Sequence, residues 1–325
     1  MKKPTVCIIG TNFISDRFAE AVIECGALEL YAVYSRSLDT GKAFADKYGI
    51  KVVYDSFDKM LSDSDIDAVY VASPTFLHAE QSIAAARAKK HVLCEKMIAI
   101  NYAEFAAMKK AADGEGIVLL EAMRPDFDGV FDLIKNELPK IGKVRRVSFD
   151  YCQYSSRYDK FKSGTVLNAF NPKMKNSALA DIGIYPLHMC VSLFGEPKSI
   201  SSTSVFLENG FEGAGSLMLG YEDKIALINY SKISDNFTPS VIEGELGSII
   251  IDKFNPPSKI TVRMRDGSEY NLPCAPVKNN MIFEVKAFAD MINGKGENTS
   301  YLSVSDTTMR LVDKIYELSG ITEFF

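Results

Sequence analysis

At 325 residues the chain is longer than one hydrophobic core usually serves, so two domains are expected, each with an interior of its own. Hydrophobic residues make up 47% and charged residues 24%, and a net charge of -5 argues against nucleic acid as the main partner. No apolar run approaches the length of a bilayer-spanning helix, which argues against membrane insertion.

Met1-Lys2-Lys3-Pro4 imitates the basic start of a signal peptide, but the apolar run that follows stops at Gly10 and turns polar at Asn12, as a strand does. Cys7, Cys25, Cys94, Cys152, Cys190 and Cys274 lie far apart, mostly among apolar residues and with no C-x-x-C pair. Free thiols in a reducing cytoplasm are expected, and no metal site. Lys143, Arg145 and Arg146 form the densest basic cluster and read as the solvated face of a strand.

In chain order, residues 5–9 (T-V-C-I-I) form a β-branched run without polar alternation, as in a strand covered on both faces. Ile14, Phe18, Val22 and Ile23 then make a helical stripe that stops at Gly26. A strand over 28–34 leads to Ser35-Arg36-Ser37, and a helix spans 39–48. The rhythm repeats: strand 68–72, Thr75 as a helix N-cap, an Ala-rich helix to Lys90, strand 91–95, helix 102–112, strand 117–121. Alternating β and α units predict a doubly wound parallel sheet over residues 1–122.

Beyond Arg124 a helix (130–137) precedes longer alternating strands near 143–153, 198–207, 214–231 and 247–251. A hairpin joins 259–265 to 268–272 across Asp266-Gly267. Helices over 281–293 and 304–319 close the chain, the second with Ser303-x-x-Asp306 as a capping box and Gly320 at its end. Residues 123–325 are thus expected to form an α+β domain with an open, mainly antiparallel sheet that binds substrate and leaves one face for a partner subunit. Its last helix is a candidate to pack back on the first domain.

A dinucleotide fold needs glycine where the first strand turns into the first helix, because the pyrophosphate approaches the backbone there. The turn reads Gly10-Thr11-Asn12-Phe13-Ile14-Ser15, with only the first glycine of G-x-G-x-x-G. Asn12 tolerates left-handed backbone, and Ser15 is small enough for close helix packing. After the second strand stands Ser35-Arg36-Ser37, with no acid before Asp39, so a ribose 2′-phosphate and hence NADP is preferred over NAD.

Downstream, Asp181, Tyr185 and His188 recur at four- and three-residue steps, which aligns them on one face of a helix. Lys96 follows the fifth strand at its carboxyl end, where ligands of open α/β sheets bind. A phenol is a poor base near neutral pH unless a cation stabilises the phenolate, a service Lys96 can perform for Tyr185. On this reading Tyr185 exchanges the proton, Lys96 polarises the oxygen, Asp181 orients a substrate hydroxyl, and His188 relays or positions. His78 caps or packs beside the nicotinamide, His91 is exposed, and Glu121 touches a ligand or pairs with a cation.

Gly10-Thr11-Asn12, Ala72-Ser73-Pro74-Thr75-Phe76-Leu77-His78, Glu95-Lys96, Glu121-Ala122 and Asp181-Ile182-Gly183-Ile184-Tyr185 together resemble the glucose-fructose oxidoreductase and inositol dehydrogenase family, Gfo/Idh/MocA. The resemblance covers essentially the full length. It implies a Rossmann domain, a second α/β domain with an open sheet used to form a homo-oligomer, dimer or tetramer, and NAD(P)-dependent chemistry on a polyol, sugar, cyclitol or dihydrodiol. It places the family's glutamate-lysine-proline motif on Glu95-Lys96-Met97, its aspartate on Asp181 and its proton donor on Tyr185, as in dimeric dihydrodiol dehydrogenases. The loop from Arg157-Tyr158 to Phe170-Asn171-Pro172 is similar to one that borders the substrate in such relatives. Met97 replaces the motif's proline, and Asn176-Ser177 stand where many relatives have paired glycines. The competing expectation on the same fold is a non-catalytic NADP-binding redox sensor, which needs Gly10 and Arg36 but not Lys96, Asp181 and Tyr185 together.

Overall fold

The computed structural model describes residues 3–274 and 277–325; Met1 and Lys2, the first half of the signal-like start, lie outside it. The chain divides into two compact units, Met1–Asp128 with Lys278–Asp306, and Gly129–Val277 with Thr307–Phe325. The first unit therefore takes a piece of the carboxy-terminal half, where the sequence suggested a contiguous span from residue 123 onward.

The first unit runs β1 (Thr5–Ile9), α1 (Phe13–Cys25), β2 (Glu29–Tyr34), α2 (Leu38–Tyr48), β3 (Val52–Tyr54), α3 (Phe57–Ser62), β4 (Ala68–Val71), α4 (His78–Arg87), β5 (His91–Glu95), α5 (Tyr102–Glu115) and β6 (Leu119–Ala122). Its six strands pair in parallel in the order β3-β2-β1-β4-β5-β6. That is the doubly wound arrangement expected, with its reversal point between β1 and β4. All of β1 is buried, and α1 starts on an Asn12 side-chain cap and ends at Gly26 in the left-handed region. Of the α1 stripe, Phe18 and Val22 are buried, but Ile23 is 59% exposed on the flank.

Two local readings are corrected here, and two short elements are added. β3 and α3 gave too short a pattern to find. Thr75 opens a short 3₁₀ turn, Thr75–Leu77, instead of capping α4, because Pro74 holds extended backbone just before it. His91 is half-buried, and its Nδ1 accepts the Val118 N–H at 2.9 Å.

The second unit contains α6 (Val130–Glu137), β7 (Val144–Cys152), α7 (Tyr158–Lys162), α8 (Ile184–Phe194), β8 (Ser199–Phe206), β9 (Glu212–Gly220), β10 (Ile225–Ser231), β11 (Ser240–Gly244), β12 (Gly247–Ile251), β13 (Ile260–Met264) and β14 (Glu269–Leu272). Eight strands form one sheet, β14-β13-β12-β11-β7-β10-β9-β8, antiparallel except where β10 runs parallel to β7. The span read as one strand over 214–231 is a hairpin, turned where the Tyr221 N–H donates to the Lys224 carbonyl.

One face of this sheet is buried through Val147, Phe149, Leu217, Ile228, Ile242 and Ile249, each such side chain contributing roughly 1.5–3 kcal/mol. The other face keeps Val205, Met218 and Ile225 about half exposed. The basic cluster lies as expected on strand surface, in ion pairs Lys143–Asp223, Arg145–Glu245 and Arg146–Glu243.

Two helices follow, α9 (Met281–Ile292) and α10 (Thr299–Ser319). Met281, Val285 and Phe288 of α9 join the same core as Ile8, Phe18 and Tyr70 of the first unit. α10 starts before the expected capping box, so Ser303 and Asp306 are interior to it. Packing overrides the polar cap, since Leu302 is buried and the Tyr301 ring lies 4.9 Å from that of Phe127. Among the described residues, no helix is long and apolar enough to cross a membrane. All six cysteines are free thiols.

Candidate functional site

In the first unit the sequence candidates gather at the carboxyl ends of β1, β2, β4 and β5. Gly10 has φ +110, and a Cβ there would stand 3.0 Å from the Ala72 carbonyl oxygen. Only glycine fits both the backbone and the gap. Asn12 is extended, at φ -88 and ψ 179, and not left-handed. Its Oδ1 accepts the Ile14 N–H at 2.9 Å and the Ser15 N–H at 3.3 Å, while its Nδ2 donates to the Ala72 carbonyl at 2.7 Å. Asn12 therefore caps α1 and ties the loop to β4. Ser15 is fully buried, as close helix packing requires, and Phe13 is 63% exposed at the first helical position. The result is a cradle shaped for a dinucleotide pyrophosphate, with glycine where the ligand must touch backbone and a helix N-terminus behind it.

Arg36 is exposed just after β2, among hydroxyl groups. Ser35 Oγ and Thr40 Oγ1 share a hydrogen bond of 2.7 Å, the Ser37 N–H donates to Ser35 Oγ at 3.3 Å, and Ser37 caps α2. A guanidinium with hydroxyls and a helix start, and no carboxylate from Ser35 to Ser37, suits a phosphate ester better than a bare ribose diol. Thr40 was not visible as a candidate, because only the folded first turn of α2 brings it back to Ser35.

Beyond β4, the Ser73 hydroxyl donates to Gln81 Oε1 at 2.7 Å. His78 is buried, with Nδ1 2.9 Å from the Met97 carbonyl oxygen and Nε2 2.8 Å from that of Ser73. Burial pushes its imidazole below the usual range. It packs, as expected, and its partners are the loops after β4 and β5.

Lys96 is half-buried directly after β5, and the Lys96–Met97 peptide is cis. Glu95 points into the core, where the Tyr70 hydroxyl donates to its Oε1 at 2.5 Å and burial raises its carboxyl above the ordinary range. Glu121 accepts the Ile98 N–H at 3.1 Å and the Ser305 hydroxyl at 2.6 Å. Sequence reasoning offered Glu121 as a ligand contact or as the partner of a cation; in the fold its hydrogen bonds to Ile98 and Ser305 brace the segment that follows Lys96.

In the second unit Asp181 lies in a π-helical turn, Leu179–Gly183, that runs into α8. The i→i+5 bonding widens that turn, so Asp181 is offset from the regular stripe expected with Tyr185 and His188. Its side chain is 40% exposed, whereas Tyr185 is buried to 3% and His188 to 0%. The Tyr185 ring meets that of Tyr151 edge-on at 5.9 Å, and His188 lies 6.5 Å from Phe131.

Two residues of this region escaped the sequence reading. Lys232, just past β10, places its Nζ 2.7 Å from Asp181 Oδ2. Glu212 on β9 accepts the Leu179 N–H at 2.8 Å and the Tyr230 hydroxyl at 2.7 Å, which satisfies an orphan amide at the start of the turn. Burial pushes the Glu212 carboxyl up. Neither shows a local signal, since each partner is far away in sequence. Lys96 belongs to the first unit and Asp181, Tyr185 and His188 to the second.

A family model of oxidoreductases with an NAD-binding Rossmann fold, Gfo/Idh/MocA, matches residues 5–122, and the model of the Gfo/Idh/MocA C-terminal domain matches residues 137–250. The chain belongs to the Gfo/Idh/MocA family of oxidoreductases. This Gfo/Idh/MocA chain is 41% identical to the scyllo-inositol 2-dehydrogenase (NADP(+)) IolU of Bacillus subtilis, over 97% of its length and 96% of that protein's. It is 26% identical to trans-1,2-dihydrobenzene-1,2-diol dehydrogenase of Xenopus laevis, over 97% of both chains.

Among solved structures, levoglucosan dehydrogenase in complex with NADH and levoglucosan superposes with a TM-score of 0.88 at 19% identity, covering 98% of each chain. The 3-ketoreductase KijD10 of Actinomadura kijaniata, in complex with NADP and TDP-benzene, gives 0.87 at 21% identity and 98% coverage of each chain. At such identities these two structures speak for the fold.

Proposed function

We propose that this Gfo/Idh/MocA oxidoreductase is an NADP-dependent dehydrogenase that interconverts a secondary alcohol of a neutral polyol, cyclitol, sugar or dihydrodiol with its carbonyl, NAD serving less well. The cradle at Gly10 fits the cofactor's pyrophosphate, and Arg36 with Ser35, Ser37 and Thr40 fits its 2′-phosphate. Thr11, Phe13, Ile14, Ala72, Ser73, Pro74, Thr75 and His78 complete the cofactor's surroundings, with Glu95 supporting Lys96 from beneath. The nicotinamide supplies or accepts the hydride.

The protein's share is to orient the alcohol and manage its proton. Tyr185 exchanges that proton at the substrate oxygen, Lys96 polarises the same oxygen and stabilises the phenolate, and Asp181 accepts a hydrogen bond from a substrate hydroxyl. His188, buried one turn beyond Tyr185, positions it. The observation that carries this reading is the junction of the π turn with α8, where a half-exposed, ion-paired Asp181 stands four residues before Tyr185. IolU, an NADP-dependent cyclitol dehydrogenase by name, supports the substrate class. We assign the protein to the cytoplasm, in keeping with its free thiols, and propose that the half-exposed sheet face around Val205, Met218 and Ile225 pairs copies of the chain into a dimer or tetramer.

The test is a screen of scyllo-inositol, other polyols, sugars and dihydrodiols for NADP reduction, followed by NADPH fluorescence in a protein that has no tryptophan to interfere. Turnover of at least one neutral polyhydroxy compound is expected. Tight NADPH binding with no turnover of any would point instead to a redox sensor.

A further inference from the structure

Lys232 is an ammonium kept from solvent. Its side chain is 3% exposed, and its backbone is fixed just beyond β10, where its N–H donates to the Gly213 carbonyl at 2.8 Å and its carbonyl accepts the Ser155 N–H at 2.9 Å. The Nζ reaches Asp181 Oδ2 at 2.7 Å and donates to the Ala169 carbonyl at 3.0 Å. It also lies over the rings of Phe170 and Phe211, at 5.0 and 5.3 Å from their centroids. A buried cation is tolerated only with such company, and the aromatic faces add an attraction that does not depend on hydrogen bonding. The paired carboxylate is the exposed member, with Asp181 at 40%.

We propose that Lys232 is a positioning and specificity residue, which holds Asp181 aimed so that the substrate meets a hydrogen-bond-accepting carboxylate and never the ammonium. This rests on the dehydrogenase reading above and names its substrate class more narrowly: polyhydroxy compounds without a carboxylate. A carboxylate that is paired with a cation accepts a hydrogen bond from a neutral hydroxyl about twice as strongly as a neutral acceptor does. A sugar acid finds no reachable cation in this pair and is repelled by its exposed half. Lys232 also fastens Asp181 to Ala169, within the loop that the family resemblance sets beside the substrate, so one side chain orders both.

The experiment uses the full chain and four variants: Lys232→Met, Lys232→Gln, Asp181→Asn and the double variant Lys232→Met with Asp181→Asn. KM and kcat are measured with the neutral cyclitol scyllo-inositol, or with whichever neutral polyol is turned over best, and with the matching uronate; NADPH affinity is followed by fluorescence. Losing the ammonium is expected to raise the polyol KM about tenfold or more while NADPH affinity stays within about twofold. Within the Asp181→Asn background the same substitution should change KM by less than about twofold, because the acceptor it serves is already gone. The wild type should prefer the neutral polyol to the uronate by about a hundredfold or more in kcat/KM.

An unchanged polyol KM in Lys232→Met and Lys232→Gln, an equal loss in the Asp181→Asn background, or efficient turnover of the uronate would each overturn the proposal. Lys232→Gln keeps a donor for Ala169 and serves if the methionine variant does not fold. Should the wild type turn over nothing, the dehydrogenase reading fails by itself. The proposal is then read from thermal unfolding of the same variants: losses that add independently refute the ion pair as an organising contact, and recovery of stability in the double variant supports it.

Discussion

The Asn12 side-chain amide donates to the Ala72 carbonyl oxygen at 2.7 Å, the same oxygen that a Cβ on Gly10 would approach to 3.0 Å. One carbonyl thus fixes both the glycine and the asparagine of the nucleotide loop, and it explains how a turn with a single glycine keeps its shape.

Replacing Asn12 by alanine removes the cap of α1 and this tie together. The expected cost is about 1–2 kcal/mol of stability, with weaker NADPH binding at constant kcat. Urea unfolding and a fluorescence titration measure the two effects; an Asn12→Ala protein with native cofactor affinity would mean that the loop is held by other contacts.

Arg36→Ala should separate the two cofactors. With the guanidinium gone, NADPH affinity is expected to fall about tenfold or more, and NADH affinity by less than about threefold, since only one carries the extra phosphate. Equal losses for both would place Arg36 outside the 2′-phosphate site.

Tyr185→Phe keeps the buried ring against Tyr151 and deletes only the hydroxyl. A fall in kcat of about 10²–10⁴ with unchanged NADPH binding is expected, and Lys96→Ala should match it. Turnover that survives in the phenylalanine variant would hand the proton to another group, His188 first.

Glu284 on α9 is fully buried, and both its carboxylate oxygens lack a hydrogen-bond partner among the described residues. Burial pushes its carboxyl well above the usual range, and the nearby Glu95 pushes it further. The folded pKa is therefore raised above the unfolded value, so the unfolded chain releases this proton first. Stability from this group is present below an ordinary carboxyl pKa of about 4.3 and declines as pH rises toward the folded value, by about 1.4 kcal/mol per unit of separation. Glu284→Gln should consequently gain on the wild type as pH goes from 5 to 8 in denaturant titrations. Parallel stability curves would show that Glu284 ionises alike in both states.

What the sequence made legible depended on how local the cause was. β1 and β5 match expectation to the residue because each has a buried run of apolar residues with plain ends, which in β5 are His91 and Glu95. β3 and α3 were missed, being too short for a period to register, and β11 was missed although it is as long as β1. The start of α10 was misplaced because packing of Tyr301 and Leu302 outweighed a polar cap that reads well in isolation.

The same division holds for the site. Gly10, Arg36, Lys96, Asp181 and Tyr185 stand in recognisable runs, whereas Lys232 and Glu212 matter only through partners that the fold brings from elsewhere. The π turn was hidden as well, since four-residue spacing looks the same before the extra hydrogen-bonding step is known.

Because α9 supplies Met281, Val285 and Phe288 to the core built on β1 and α1, the amino-terminal unit is completed by residues that the ribosome adds only after the whole of the intervening unit. A nascent chain released or cleaved around residue 128 would carry an apolar surface waiting for that helix. Quality control during translation therefore has a long interval in which to act, and expressing the amino-terminal unit alone calls for supplying residues 278–306, by fusion or in trans.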